Sequence, residues 1–185
     1  MIEKEQKESD MNMLNFLMNI GKLKNEKRRG WVLRGIDHSE SVADHSFRTA
    51  VMCMLLADED IDRDLVVKMA LVHDMAESIV GDLTPDDIDS ASKHVMENEA
   101  IIKIVSTLPN KKANEIMDLW LEYNKGETNE ARFVKEIDLL ELAIQALEYE
   151  KSNKKKYDLI EKVGNRITTK SLKLIFNEIM VMRND

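Results

Sequence analysis

Residues 65–80 read LVVKMALVHDMAESIV. Apolar residues recur here at helical spacing, and the run meets Gly81, a natural helix stop. The spacing predicts one helix that begins near Asp62 or Asp64 and continues unbroken to Gly81. Inside it His73 and Asp74 interrupt an otherwise apolar stretch, and Glu77 stands one turn after His73 on the same face. A helix built only for packing turns its polar groups to water, so ionisable side chains within an apolar run are the informative ones.

Working outward, the same period recurs on both sides. Upstream, a first helix carries Leu14, Leu17, Met18 and Ile20 ahead of the basic stretch KLKNEKRRGWVLRG at 22–35. A second begins near Ser39 or Ser41, either of which can cap it, and runs through SVADHSFRTAVMCMLLA until DEDID at 58–62 breaks the pattern. Downstream, GDLTPDD at 81–87 is a loop. A helix over 90–108 follows, with Val95, Ile101, Ile102 and Val105 at helical intervals and Pro109 closing it. KKANEIMDLWLEYNKG makes a shorter helix with Ile116, Leu119, Trp120 and Tyr123 inward. Thr128 caps the next, which runs through EARFVKEIDLLELAIQALEYE. KSNKKKY is a solvated connection, and SLKLIFNEIMVMR is a last amphipathic helix. No internal repeat, linker or low-complexity segment divides the chain.

Composition agrees with an all-α fold, a single domain of six or seven helices spanning residues 1–185. The 185 residues hold only 6 Gly and 2 Pro, too few for a hairpin-rich architecture. Acids outnumber bases 35 to 27, for a net charge of -8, which disfavours nucleic-acid polymers and anionic membranes as partners. The lone Cys53 cannot form an intrachain disulfide, and no apolar run is long enough to span a bilayer. The N-terminal MIEKEQKESDMN lacks a secretory or mitochondrial pattern, so a cytoplasmic protein is expected.

Two further ionisable residues point inward. His45 in SVADHSFRTA follows Val42 and precedes Thr49 and Ala50 on one helical face. Asp138 in FVKEIDLLELA has Val134 one turn before it and Leu142 one turn after. A lone inward His is ordinarily a core imidazole bonded to a carbonyl, and a lone inward Asp ordinarily finds an Arg or Lys. Two imidazoles and two carboxylates from three helices are a different matter. That mixed nitrogen and oxygen set suits a divalent ion such as Co, Mn, Fe, Ni or Zn, with Mg less favoured. Four protein ligands leave coordination positions open, as catalysis by a metal-bound water requires.

The order His45, then His73-Asp74, then Asp138 resembles that of the HD-domain metal-dependent phosphohydrolases, an all-helical superfamily. The words RRGWVLRGI, ESVADHSFRTAVM, ALVHDMAESIVGDLTP and LWLEYNKGETNEARFVKEIDLLELAIQALEYE are similar to its 5′-deoxynucleotidase branch, over roughly residues 11–150. The resemblance implies that His45, His73, Asp74 and Asp138 hold the metal and that Glu77 is the catalytic glutamate. Asp82 in GDLTP matches an aspartate that contacts the sugar and favours 2′-deoxyribose. The RRGW segment matches an Arg and a Trp that hold phosphate and substrate, which nominates Trp31 and either Arg28 or Arg29. His38 and His94 belong to none of these words and read as surface residues.

The implied reaction is hydrolysis of deoxynucleoside 5′-monophosphates to phosphate and deoxynucleoside. An Arg of RRGW would clamp the phosphate while Glu77 orients the water or moves its proton. The residues alone leave RRGWVLR readable as a solvated basic patch between two helices. Other HD activities, on triphosphates, alarmones or cyclic dinucleotides, call for more basic residues or more histidines than the 4 present. A scaffold that binds nucleotide without turnover is the alternative outside enzymes. The resemblance also implies a homodimer, for which methionines in MNMLNFLM or the last helix could supply contacts, although Met at helical spacing is more often core.

Overall fold

A computed structural model describes residues 2–184 as helices and short connections. In chain order these are α1 (Ile2–Gly21), a 3-10 turn (Lys22–Lys24), α2 (Arg29–Val32), α3 (Val42–Leu56), α4 (Arg63–Val72), α5 (Glu77–Val80), α6 (Ser90–Val105), α7 (Asn110–Lys125), α8 (Asn129–Asn153), α9 (Leu159–Gly164) and α10 (Lys170–Asn184). Among the described residues the only strand-like pairing is an isolated antiparallel bridge between Lys27 and Ser41. The fold is all-α as expected, with more helices than six or seven. The excess consists of short pieces, α2, α5 and α9, which lack the length to announce themselves by periodicity.

The helix expected from 62 to 81 is broken. α4 stops at Val72, residues 73–76 form a turn, and α5 restarts at Glu77. The bonds across the break run three residues back: Met75 N–H to Val72, Glu77 N–H to Asp74, Ser78 N–H to Met75 and Ile79 N–H to Ala76. That tighter winding swings His73 and Asp74 out of the register of α4. Gly81 ends α5 at φ 79, a left-handed conformation only glycine adopts readily, as its place in the sequence anticipates.

The chain forms two compact units, Met1–Phe47 with Leu71–Leu121, and Arg48–Ala70 with Glu122–Asp185. In the first, Phe16, Ile104 and Leu108 form an apolar cluster with Met13, Ile20, Met75, Ala113 and Ile116 against it. The face of α1 that packs therefore carries Met13, Phe16 and Ile20, whereas Leu14, Leu17 and Met18 are exposed. α1 is apolar on two sides, and contact with α6 and α7 selects one of them. On α6 likewise Ile101, Ile104 and Val105 are buried while Val95 and Ile102 face water.

In the second unit α8 buries Phe133, Val134, Ile137 and Leu140 and packs against α9 and α10. Thr128 caps α8 as expected, its hydroxyl accepting from Ala131 N–H at 3.1 Å. The Arg183 side chain of α10, 4% exposed, makes a forked ion pair with Glu150 at 2.7 and 2.8 Å and donates to the Tyr157 carbonyl at 2.9 Å. Lys154, Lys155 and Lys156 are exposed, as a solvated connection requires, but Tyr157 at its end is buried. Burial, with the nearby Asp138 charge, pushes the Cys53 thiol up to about 12, so it remains a packed, protonated side chain.

Candidate metal centre

Three short-range devices bring the ligand candidates together within the first unit. Ser41 and Asp44 form a reciprocal cap at the start of α3: Ser41 N–H donates to Asp44 at 2.9 Å and Asp44 N–H to the Ser41 hydroxyl at 3.1 Å. This fixes the first turn of α3, on which His45 lies. Next, the Lys27–Ser41 bridge, with Arg28 N–H to Glu40 at 3.1 Å and Val42 N–H to Glu26 at 2.8 Å, ties the RRGW segment to the same turn. Lastly, the break after Val72 presents His73 and Asp74 to that place.

The resulting geometry is tight. His45 Nε2 lies 3.3 Å from His73 Nε2, His73 Nε2 lies 3.1 Å from Asp74 Oδ2, and His45 Nε2 lies 3.7 Å from Asp74 Oδ2. A triangle with those edges has a centre about 2.0 Å from each corner, the length of a bond from zinc or a similar ion to imidazole nitrogen or carboxylate oxygen. Ca²⁺ takes about six to eight oxygen ligands, so a set with two imidazole nitrogens suits it less well. His45 and His73 are buried, and Asp74 is 16% exposed, which leaves one side of the cluster reachable. The donor set therefore fits a small divalent ion. Burial alone would raise the Asp74 carboxyl, but His73, Arg28 and His45 outweigh it and hold the group well below the usual carboxylate range.

Glu77 stands beside this cluster, 3% exposed, and its Oε2 is a buried oxygen with no hydrogen-bond partner. Burial pushes its carboxyl well above the ordinary range. Asp74 and Asp82 push the same way, opposed by Arg28 and Lys93. An orphaned buried carboxylate oxygen is costly unless something polar occupies the space it faces. Asp74 of the donor set and Arg28 at its rim lie close enough to act on the Glu77 charge.

The two arginines part company. Arg28 Nη1 reaches Asp74 Oδ2 at 3.3 Å, at the rim of the cluster. Arg29 turns away, its Nε on Asp87 at 2.6 and 2.7 Å, while its backbone N–H donates to Asp82 at 2.7 Å. Trp31 is 1% exposed, and its indole N–H is taken up by Glu40 at 3.0 Å, so the ring is wall rather than open surface. Asp82 is buried and its carboxylate holds the start of α2. His38 is exposed, and His94 is an exposed ring stacked at 6.0 Å on the buried Trp120.

Asp138 is the one nominated residue that lies in the second unit, on α8, where it is half-buried rather than enclosed. The wholly buried acid of that helix is Glu141, which sequence reading passed over. It is held by Arg48, Nε at 2.8 Å and Nη2 at 2.7 Å. An Arg in a distant helix is the signal that separates such a structural acid from a ligand, and no spacing rule contains it. Lys93 was also invisible to motif reading. Its ammonium lies 3.8 Å from Glu77 and donates to the Leu83 carbonyl at 2.7 Å.

Comparison with known proteins agrees. The HD-domain family profile matches residues 20–180. The chain is similar to 5′-deoxynucleotidase HDDC2 of Xenopus laevis, 45% identical over 144 residues, covering 77% of this chain and 72% of that one. It is similar to the mouse protein of the same name, 38% identical over 180 residues, covering 95% and 90%. Among solved structures it is similar to a predicted metal-dependent phosphohydrolase from Magnetospirillum magnetotacticum, with a TM-score of 0.76 at 28% identity and 96% coverage of both chains. The two facing imidazoles, the adjacent carboxylate and these likenesses lead to one assignment: the chain belongs to the HD-domain family of phosphohydrolases, in its 5′-deoxynucleotidase branch.

Proposed function

We propose that the protein is a metal-dependent 5′-deoxynucleotidase that hydrolyses deoxyribonucleoside 5′-monophosphates to deoxynucleoside and phosphate. The observation that supports this reading most directly is the meeting of His45, His73 and Asp74 around one point, with Arg28 and the buried Glu77 at its edge. The names of the relatives supply the substrate class.

His45, His73 and Asp74 would hold the ion, and the motif order supplies Asp138 as fourth ligand. A bound divalent ion supplies Lewis acidity, lowering the pKa of a water and neutralising phosphoryl charge. The chain's own residues do the rest. Arg28, whose Nη1 lies 3.3 Å from Asp74 at the rim of the cluster, would present its planar guanidinium to a phosphate. Glu77 Oε2 accepts a hydrogen bond from the attacking water and takes its proton. Asp82 offers a carboxylate to the sugar while keeping the start of α2 in place, and Trp31 backs the arginine. Arg29 serves the loop through Asp87.

We further propose that the two units are parts of one HD domain, that the ion is Co, Mn, Fe, Ni or Zn rather than Mg, and that the protein works in the cytoplasm as a homodimer. The structure contains no helix long and apolar enough to cross a membrane among the described residues.

The deciding experiment is a phosphate-release assay on protein stripped of metal and reloaded with Co or Mn, offered dAMP, dGMP and dTMP beside their ribonucleotides. Turnover with a preference for the deoxy substrates is expected. Protein that binds the ion yet releases no phosphate from any of them would overturn the reading. In the same assay, His73→Ala should lose the ion, whereas Glu77→Ala should keep it and lose turnover.

A further inference from the structure

The buried carboxylate of Glu77 has one oxygen without a partner and one that faces a cation, and that cation belongs to no motif of the sequence. Lys93 sits one turn into α6, where Asp89 caps the helix through Ala91 and Ser92 N–H. Its ammonium has three neighbours: the Leu83 carbonyl at 2.7 Å, Glu97 Oε1 at 3.4 Å and Glu77 Oε1 at 3.8 Å. A lysine paired with an acid four residues on is ordinarily a solvated helix-surface contact of little consequence. This one differs in two ways. It is fastened to the backbone of the loop that follows α5, and it is turned inward on a carboxylate that is 3% exposed. Burial lowers its tendency to carry charge, but Glu77, Glu97, Asp82 and Asp74 together more than restore it, so the ammonium stays charged.

We propose that Lys93 is a positioning residue for the reaction: pinned by Leu83 and Glu97, its ammonium holds Glu77 Oε1 and thereby aims Glu77 Oε2 at the reacting centre. The loop carbonyl fixes where the ammonium sits, and the ammonium, 3.8 Å from Oε1, draws that oxygen rather than the other toward itself. A long side chain with three rotatable torsions is thus left one working orientation. In this role Lys93 acts through Glu77 and not on substrate or ion. This inference rests on the reading that Glu77 serves turnover.

The test compares wild type, Lys93→Met and Lys93→Arg for kcat and KM on a deoxynucleoside monophosphate, bound metal per chain, thermal midpoint and a crystal structure of Lys93→Met. Lys93→Met should lose kcat by at least about tenfold, a part of the roughly 10²–10⁴-fold that a positioned acid or base contributes. KM and metal content should hold, Glu77 should leave its position, and Lys93→Arg should recover part of the loss. Unchanged kcat in Lys93→Met would overturn the proposal. So would a raised KM at full kcat, which would make Lys93 a substrate contact, or a kcat that falls only in step with metal content or folding. If wild type itself shows no turnover, the nucleotidase reading fails separately, and the crystal structure alone decides: a displaced Glu77 upholds the role of Lys93, an unmoved one removes it.

Discussion

Arg28 and Arg29 are neighbours in sequence and serve different partners, Asp74 and Asp87. The half-exposed Arg29 pair should matter little to activity, since solvent-exposed ion pairs contribute little. Arg29→Ala is expected to keep kcat/KM within about threefold of wild type, whereas Arg28→Ala should lose about a hundredfold, as for removal of one preorganised donor to developing charge. Equal losses in the two variants, measured on the same deoxynucleotide, would contradict this division. The sequence contained both residues but not their difference. The deciding contacts come from Asp82 and Asp87, more than fifty positions away, and no local spacing expresses them. The meeting of the candidate ligands His45, His73 and Asp74 could be anticipated for the opposite reason, because a polar group inside an apolar run is a local anomaly.

At the scale of elements, caps and stops could be read directly and breaks could not. Ser41, Thr128 and Gly81 act where their chemistry places them. The interruption after Val72 has no glycine or proline to mark it, and apolar residues continue in register through it. α9 was missed because six residues give too short a pattern, yet its packing is exacting. A Cβ on Gly164 would lie 2.3 Å from the Phe176 ring of α10, which is buried and has nowhere easy to go. Gly164→Ala should therefore destabilise the protein by about 1–3 kcal/mol, the usual cost of overpacking, through separation of α9 and α10. Denaturant melts of the two proteins check this, and a variant as stable as wild type would mean that Phe176 yields freely.

For the molecule as a whole, every nominated site residue except Asp138 falls within the first unit. An ion bound there should stabilise the native state by mass action, about 2.7 kcal/mol at a hundredfold excess over its dissociation constant. For a chain of this size each kcal/mol moves the thermal midpoint by about 2–4 °C. Chelation should thus lower the midpoint of wild type by several degrees and leave that of His73→Ala unmoved. A wild-type midpoint indifferent to chelator and to added Co or Mn would speak against a resident ion. Net charge told less than it first suggested. The -8 disfavours polyanions in general, yet Asp74, Glu77 and Asp82 contribute to it from a place where Arg28 and Lys93 oppose them, as the proposed ion would. Composition averages over the surface, and a pocket does not.

One bond described above sets a length scale. Asp82 accepts the backbone N–H of Arg29 at 2.7 Å, so the residue proposed to meet the sugar is fastened to the peptide next to the arginine proposed to meet the phosphate. The two contacts cannot drift apart independently, and together they act as a ruler. If both contacts are made, a nucleotide with its phosphate on the 5′ carbon is expected to span it, and phosphate release from the 3′ isomer, of the same composition and charge, is expected to be much slower in the same assay. Discrimination between positional isomers would then be a matter of fixed spacing in the protein rather than of added affinity.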